Sequence, residues 1–215
     1  MAAHSQSSVQ ATALTRRGLL RVSGASARAF LQGLVTNDVE RVNESTPIYA
    51  ALLTPQGKFL HDFLVVQLGD ALLLDLEAER LQDLLRRLTM YRLRAAVDFV
   101  DASNELMVYS VFGGETEGLG DQLPGTFVRD PRSPVLGHRL YSKSDARQDL
   151  QALGANMVGP EAYDAFRIAA GVPDGSRDIP VEKAVPLEYG FDSLGAVSYE
   201  KGCYIGQELT ARTHN

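Results

Sequence analysis

The chain has 215 residues, of which 45% are hydrophobic, and its formal net charge at pH 7 is −6. This length and hydrophobic content allow a sizeable core in one large or two small domains. An acidic chain without a dense cluster of basic residues is not expected to bind nucleic acid directly, and no apolar run predicts a membrane span. The lone cysteine excludes an internal disulfide and indicates a reducing compartment, so we expect the bacterial cytoplasm, with the mitochondrial matrix as the alternative.

The first part of the chain predicts a strand, a helix and a polar loop after a disordered head at residues 1–13. The strand covers residues 19–22 and the helix residues 26–34, where apolar side chains recur on one face. The helix ends in Thr36-Asn37-Asp38-Val39. Simple turn chemistry and a ligand-binding role explain this loop equally well.

The middle of the chain, residues 48–142, predicts an antiparallel sheet with a helix packed on it. Three strands come first, and the pattern of the second places His61 on the same face as Phe59, Phe63 and Val65 as a packed ring. The helix at residues 80–91 presents one apolar face to the core and charged residues to solvent. Leucines form the apolar face at positions 81, 84, 85 and 88.

The last part predicts helices at residues 144–153 and 160–170, then a strand at residues 196–199 that leads into the only cysteine. We expect one lobe at residues 48–147, inserted into a second lobe formed by residues 14–47 and 148–215.

The segment from Lys201 to Glu208, KGCYIGQE, combines the features of a reactive site. Gly202 lets the backbone approach a ligand closely, and the cation of Lys201 favours a thiolate at Cys203. Gly206 begins a helical turn whose free N–H groups face the same space. The competing interpretation is a buried and inert cysteine, which is the commoner fate of a lone cysteine.

KGCYIGQE continued as LTAR, together with the T-N-D-V and R-D-P-R segments, resembles the YgfZ-like folate-binding proteins. These are iron–sulfur cluster assembly factors related to the aminomethyltransferase (T-protein) of the glycine cleavage system. The resemblance runs from about Leu19 to Asn215. It implies an α+β fold of the T-protein folate-binding type, with antiparallel sheets, packed helices and a ferredoxin-like plait, but without the family's C-terminal β-barrel.

Two departures from the T-protein bear on activity. His61-Asp62 stands where the T-protein has Asp-Asp, and Ala169 stands where it has the glutamate that binds the pterin. Because both carboxylates are replaced, we expect no turnover chemistry of the chain's own. The alternative is an active tetrahydrofolate-dependent aminomethyltransferase that uses His61 or Asp62 as its base.

The resemblance therefore implies a role in iron–sulfur cluster assembly or repair, with Cys203 as the functional thiol and Lys201 beside it. One cysteine cannot hold a cluster that needs four ligands, so we expect no metal on this chain alone and partners among iron–sulfur scaffold, carrier and client proteins. A further alternative is a tRNA-modification factor that acts indirectly through an iron–sulfur enzyme. The resemblance also implies bound tetrahydrofolate, with contacts from Asn37, Asp38, Asp62, Arg167, Glu188, Gln207 and Glu208.

Overall fold

The computed structural model describes residues 8–214, with side chains up to residue 210. The strands are β1 (Gln10–Ala13), β2 (Arg17–Ser23), β3 (Ile48–Leu53), β4 (Phe59–Leu68), β5 (Ala71–Glu77), β6 (Asp98–Asp101), β7 (Met107–Phe112), β8 (Thr126–Arg129), β9 (His138–Ser142) and β10 (Asn156–Met157). The α-helices are α1 (Ala27–Gln32), α2 (Leu81–Arg92), α3 (Arg147–Ala152), α4 (Pro160–Ala169) and α5 (Gln207–His214).

The chain divides into two compact units. Unit 1 combines Met1–Thr15 with Asn104–Val172, and unit 2 combines Arg16–Ser103 with Pro173–Asn215. Each unit has one five-stranded sheet, with the order β10-β1-β7-β9-β8 in unit 1 and β3-β4-β5-β2-β6 in unit 2. These boundaries differ from the predicted ones. Strand β1, in the segment predicted as a head, pairs with β7 and β10, whereas β2 pairs with β5 and β6.

Unit 2 contains the ferredoxin-like plait. Strands β2, β4, β5 and β6 alternate with the two helices as βαββαβ, and their order in the sheet is β4-β5-β2-β6 with antiparallel neighbours. Strand β3 extends this sheet at the β4 edge. The plait therefore starts at Arg17, well before the predicted residue 48, and it ends at Asp101 because β7, β8 and β9 belong to the other sheet.

Helices α1 and α2 pack on one face of the unit 2 sheet. Leu31 of α1 and Leu84 and Leu88 of α2 are fully buried against Leu20 and Val22 of β2. The predicted leucine stripe is thus the core face of α2, as its spacing indicates.

A β-bulge in β4 changes the face on which Phe59 lies. Leu52 pairs with His61, whereas Leu53 pairs with Phe59, which leaves Leu60 as an extra residue. An extra residue reverses the alternation of side chains, so Phe59 leaves the helix-covered face and packs edge-on against Phe191. The prediction that Phe59 shares a face with His61 is therefore wrong.

Unit 1 is held together by a buried ionic network at the end of the R-D-P-R segment. Asp130 accepts hydrogen bonds from Arg132 at 2.7 Å and from Arg139 at 3.2 Å. The hydroxyl of Tyr163 in α4 accepts from both guanidinium groups. Burial alone would raise the pKa of Asp130, but the two arginines hold it far below its usual range.

Two local predictions do not hold. The head predicted as disordered up to residue 13 contains β1 from Gln10 onward, while residues 1–7 lie outside the described part. Residues 196–198, predicted as a strand, have no regular structure. They instead bond to the loop after α1, because Ser198 donates from its N–H to the carbonyl of Thr36. Among the described residues, no helix combines the length and hydrophobicity needed to cross a membrane.

Candidate functional site

Cys203 is exposed at the end of the loop that precedes α5. The side chains on either side of the Gly202-Cys203 pair are buried, since Lys201 is 9% exposed and Tyr204 is 7% exposed. The interpretation of Cys203 as a buried residue is therefore wrong, and its reactivity stays a prediction. The buried side chains of Lys201 and Tyr204 anchor the backbone on either side of the Gly202-Cys203 pair.

Lys201 is the first anchor. Its ammonium donates to the carbonyl oxygens of Gln32 at 2.7 Å, Val35 at 2.7 Å and Asn37 at 2.9 Å. These carbonyls lie at and just beyond the end of α1, where backbone acceptors lack helical partners. An ammonium has three N–H donors, so all of them are engaged. Burial lowers the pKa of Lys201 to about 8, with Asp38 opposing the shift, so the charged form predominates at pH 7.

Tyr204 is the second anchor. The Lys201 ammonium lies 5.2 Å from the centre of its ring, within the range of a cation–π interaction. Burial raises the pKa of Tyr204, against a hydrogen bond with Thr210 in the first turns of α5. The two anchors therefore contact each other, and the thiol lies between them in the sequence.

The two glycines of the motif differ in what they do. Gly206 has a φ of +83°, and a Cβ there would lie 2.5 Å from the carbonyl oxygen of Thr54. Only glycine fits this left-handed position against the turn between β3 and β4. By contrast, a Cβ at Gly202 would meet nothing within 4 Å. The fold does not require glycine beside the thiol, and the space there is open to a partner.

The T-N-D-V loop is built into the same structure. Asn37 donates from its amide to the carbonyls of Tyr49 at 2.8 Å and Gly195 at 2.7 Å. Thr36 donates to the carbonyl of Ala196 at 2.6 Å and accepts from the N–H of Ala51 at 2.9 Å. Sequence analysis missed the role of Thr36, although it lies directly before Asn37. The loop thus ties strand β3 to the chain that leads to Cys203.

Asp38 is engaged in local hydrogen bonds. Its carboxylate accepts from the side-chain amide of Gln32 at 2.8 Å and from the N–H of Glu40 at 3.1 Å. The second bond caps a short 3₁₀ helix, a common use of aspartate. Asn37 and Asp38 thus form hydrogen bonds within the protein, as turn chemistry predicts. A role of the T-N-D-V loop in ligand binding stays a prediction.

His61 forms a pair with Asp83 of α2, at 2.8 Å between Nε2 and a carboxylate oxygen. Burial lowers the pKa of His61 to about 4, and the nearby Arg80 guanidinium acts in the same direction. Arg87 and Arg86 hold the pKa of Asp83 far below its usual range, against burial. Because an ionised carboxylate can only accept, the neutral imidazole donates from Nε2. Asp83, predicted to face solvent, is thus the partner of a buried histidine.

Asp62 points to the other face of β4, where it accepts from the hydroxyl of Tyr49 at 2.8 Å. Nearby, Ser176 donates from its N–H and its hydroxyl to Glu77, at 3.0 and 2.8 Å. A Cβ on Gly175 would lie 2.8 Å from Glu77 and 3.3 Å from Asp62. Sequence analysis did not select Tyr49, Glu77 or Ser176, because their proximity to Asp62 depends on sheet pairing.

The cleft beside Asp62 is narrow. The residues that line it leave almost no space for a water molecule, and they include His61, Asp62, Glu77, Arg80 and Ser176. Pockets that hold small ligands usually measure about 300–1,000 Å³. The cleft is thus much smaller than a usual small-molecule pocket, and folate binding stays a prediction.

The other expected folate contacts come from both units. Arg167 is buried in unit 1, where it donates to Asp164 at 2.7 Å and to the carbonyl of Val172 at 3.0 Å. Glu188 and Glu208 are exposed in unit 2, and Gln207 is the half-buried first residue of α5. Asn37, Asp38, Asp62 and Arg167 thus have protein partners within their own units, and their contact with folate stays a prediction.

In the described part of the chain, no group of three or more histidine, cysteine, aspartate or glutamate residues is placed to hold a metal ion. Cys203 accordingly belongs to no such group among the residues that the structure describes.

Comparison with known proteins supplies the family. Residues 2–125, more than half of the chain, match the GCVT N-terminal domain. The chain is 33% identical over 226 residues to a protein of Coccidioides immitis named "Iron-sulfur cluster assembly factor IBA57 homolog, mitochondrial", covering 94% of this chain and 53% of that protein. It is 35% identical over 224 residues to "Iron-sulfur cluster assembly factor IBA57, mitochondrial" of Mus musculus, covering 94% and 62%. The chain thus spans little more than half the length of these relatives.

Among solved structures, this chain resembles the glycine cleavage system aminomethyltransferase T from Bartonella henselae, with a TM-score of 0.70 and 15% identity. The match covers 98% of this chain and 64% of the aminomethyltransferase chain. At this identity the match concerns the fold alone, and it agrees with the two sheets and the plait described above. The chain belongs to the family of the GCVT N-terminal domain and has the α+β fold of the glycine cleavage T-protein.

Proposed function

We propose that this chain acts in iron–sulfur cluster assembly or repair, with Cys203 as a thiol presented to a partner and without turnover of its own. The observation that carries this proposal is the exposed thiol between the two buried anchors Lys201 and Tyr204. The two anchors fix the position of the sulfur on the protein surface. The open space at Gly202 lets a partner approach that sulfur. The names of the relatives support the same process.

The partner must bring most of the ligands. Iron–sulfur clusters are usually held by four protein ligands, and Cys203 is the only cysteine of the chain. A cluster shared with Cys203 would therefore be held mainly by an iron–sulfur scaffold, carrier or client protein. The relatives' names support a mitochondrial location, while the matrix as the compartment and the bacterial cytoplasm as the alternative stay predictions.

The test is rescue of iron–sulfur enzyme activity in cells that lack the protein. We expect Cys203→Ser to fold normally and to fail in rescue, because the exposed sulfur contributes little to packing. Gly202→Ala should fold normally and rescue poorly, because its methyl group occupies the space through which a partner approaches. Full rescue by Cys203→Ser would overturn the proposal.

Accessibility of the thiol provides a check that is independent of cells. The native protein should react completely with N-ethylmaleimide at pH 7, since Cys203 is exposed. A thiol that reacts only after unfolding would contradict the position on which the proposal rests.

Tetrahydrofolate belongs to the proposal as a bound ligand rather than a reactant, and its support is the resemblance to folate-binding proteins. Isothermal titration of the protein with tetrahydrofolate tests it, with Asp62→Asn and Glu188→Gln as variants of the expected contacts. If no binding is measurable at millimolar folate, tetrahydrofolate is not a ligand of this chain. That result would not affect the proposed role of Cys203.

One observation favours an aminomethyltransferase as a second candidate. Asp62 is a buried carboxylate with a Tyr49 hydroxyl at 2.8 Å, which resembles a positioned acid–base group. His61 is less suited to be the base, because its Nε2 is engaged with Asp83. Formation of methylene-tetrahydrofolate and ammonia from tetrahydrofolate and an aminomethyl donor, at a rate above the uncatalysed one and lost in Asp62→Asn, would support this candidate. For the alternative of an indirect tRNA-modification factor, the comparison is made in cells that lack the protein. We expect the loss of tRNA modification there to parallel the loss of activity of an iron–sulfur enzyme that modifies tRNA.

A further inference from the structure

The C-terminal end of α2 carries large apolar side chains into solvent. Leu93 is 88% exposed, Met90 is 67% exposed and Tyr91 is 37% exposed. The preceding turns of the helix are different, because Leu84 and Leu88 are fully buried in the core of unit 2. Residues 90–94, which we call the Leu93 tip, comprise the last residues of α2 and the turn that follows it.

The backbone holds Leu93 in this position at a conformational penalty. Its φ is +43° and its ψ is −106°, outside the regions that a branched L-residue favours. In the described residues only Leu93 and Glu182 have a positive φ without being glycine. A glycine at position 93 would relieve the strain, so a strained leucine that points to solvent indicates a use for the side chain.

The Leu93 tip also carries positive charge in an acidic chain. Arg92 and Arg94 flank Leu93, and both are exposed. In the part of the chain that the structure describes, neither forms an ion pair, whereas the exposed Arg86 one turn earlier is paired with Asp83. One acid, Asp98, lies on the cleft that both arginines line.

That cleft lies next to the tip. It has a volume of about 340 Å³ and is lined by residues 92–98 with Gly24 and Ala25. This is room for one or two side chains of a partner. An apolar anchor between two unpaired arginines matches the chemistry of a partner segment that combines carboxylates with apolar side chains.

We propose that the Leu93 tip is a docking surface for an acidic segment of a partner protein. Leu93 and Met90 supply the apolar contact, and Arg92 and Arg94 select carboxylates. A second copy of this chain fits less well, because the tip would have to meet like charge on an identical tip. An anionic membrane fits less well too, because the chain carries a net charge of −6 against two exposed arginines.

The experiment places a photo-reactive benzoylphenylalanine at Met90 of the full chain in its native cells. The matched control carries the same group at Val135, which is 56% exposed in unit 1. After irradiation, mass spectrometry identifies the cross-linked peptides. We expect adducts at position 90 on an acidic segment of one protein, with yield reduced about tenfold by the pair Arg92→Glu and Arg94→Glu.

Leu93→Gly separates docking from folding. This variant removes the apolar anchor but relieves the strained φ, so it should be at least as stable as the wild type and still lose the adduct. A merely structural role of Leu93 would reverse this, with lower stability and unchanged cross-linking.

Three results would overturn the proposal. The first is cross-linking at position 90 that does not exceed that at position 135. The second is an adduct with a second copy of this chain, which would make the tip a dimer contact. The third is sedimentation of the protein with vesicles containing 30% anionic phospholipid that depends on Leu93, which would make it a membrane contact.

Discussion

The ammonium of Lys201 lies 2.7 Å from the carbonyl oxygen of Val35, a residue 166 positions earlier in the chain. This contact, with those to Gln32 and Asn37, fastens the Cys203 segment to the end of α1. It makes Lys201 a positioning residue in the structure. An influence of its charge on the thiol stays a prediction.

The first prediction concerns this anchor. Lys201→Met should lower the free energy of unfolding by about 2–4 kcal/mol, because three buried carbonyls lose a charged donor. Urea denaturation measures the loss. The matched control, Lys183→Met, changes an exposed lysine and should stay within about 0.5 kcal/mol of the wild type. Equal stability of the two variants would contradict the anchor.

The second prediction compares the two glycines of the motif. Gly206→Ala should destabilise the protein by more than about 1 kcal/mol, because alanine at a positive φ is strained and its methyl group meets the carbonyl of Thr54. Gly202→Ala, with open space, should leave the melting temperature unchanged. Thermal unfolding of both variants decides, and the reverse order would refute the packing described for Gly206.

The third prediction is a pH dependence that comes from His61. The unfolded chain gains a proton on this residue near pH 6.5, but the folded protein gains it only near pH 4, because the ring is buried. Stability from this group is therefore complete above pH 6.5 and is lost as the pH falls toward 4, by about 3 kcal/mol in total. Chemical unfolding at several pH values should show a flatter curve for His61→Gln. Parallel curves would mean that the ring is solvated.

The fourth prediction tests the core face of α2. Leu84→Ala should cost about 2–5 kcal/mol, because Leu84 is fully buried. The same change at Leu93, which directly follows this helix and is 88% exposed, should cost less than about 0.5 kcal/mol. Guanidinium unfolding measures both, and a loss below 1 kcal/mol at Leu84 would place this helix face outside the core.

Periodic features of the fold could be predicted from the sequence. The leucines of α2 follow helical spacing, and strands β3, β4 and β5 follow from apolar runs separated by glycine turns. The bulge at Leu60 could not be predicted, because one extra residue depends on pairing with β3. The strand expected at residues 196–199 is absent because Ser198 bonds to Thr36 outside any sheet.

Only the part of the candidate site that is continuous in sequence could be predicted. The residue types around Cys203 indicated the motif and the helix α5 that follows it. The contacts of Lys201 and Asn37 could not be predicted, because their partners are remote in the sequence and are backbone atoms, which carry no residue signature. Asp83 was predicted to face solvent because helical periodicity separates the apolar face of a helix from its polar face. Periodicity does not show that a residue on the polar face contacts a buried histidine such as His61.

The internal position of β1 in its sheet has a consequence for biosynthesis. Ala11 is made 100 residues before Val111 and 146 residues before Met157, its two neighbours across the sheet. Both edges of β1 therefore stay unpaired while strands β2 to β6 are made, and such distant pairings slow folding. Translation pauses, or chaperones that cover β1 on the nascent chain, should consequently affect the yield of unit 1 more than that of the plait, whose strands β2 to β6 are complete once Asp101 has emerged.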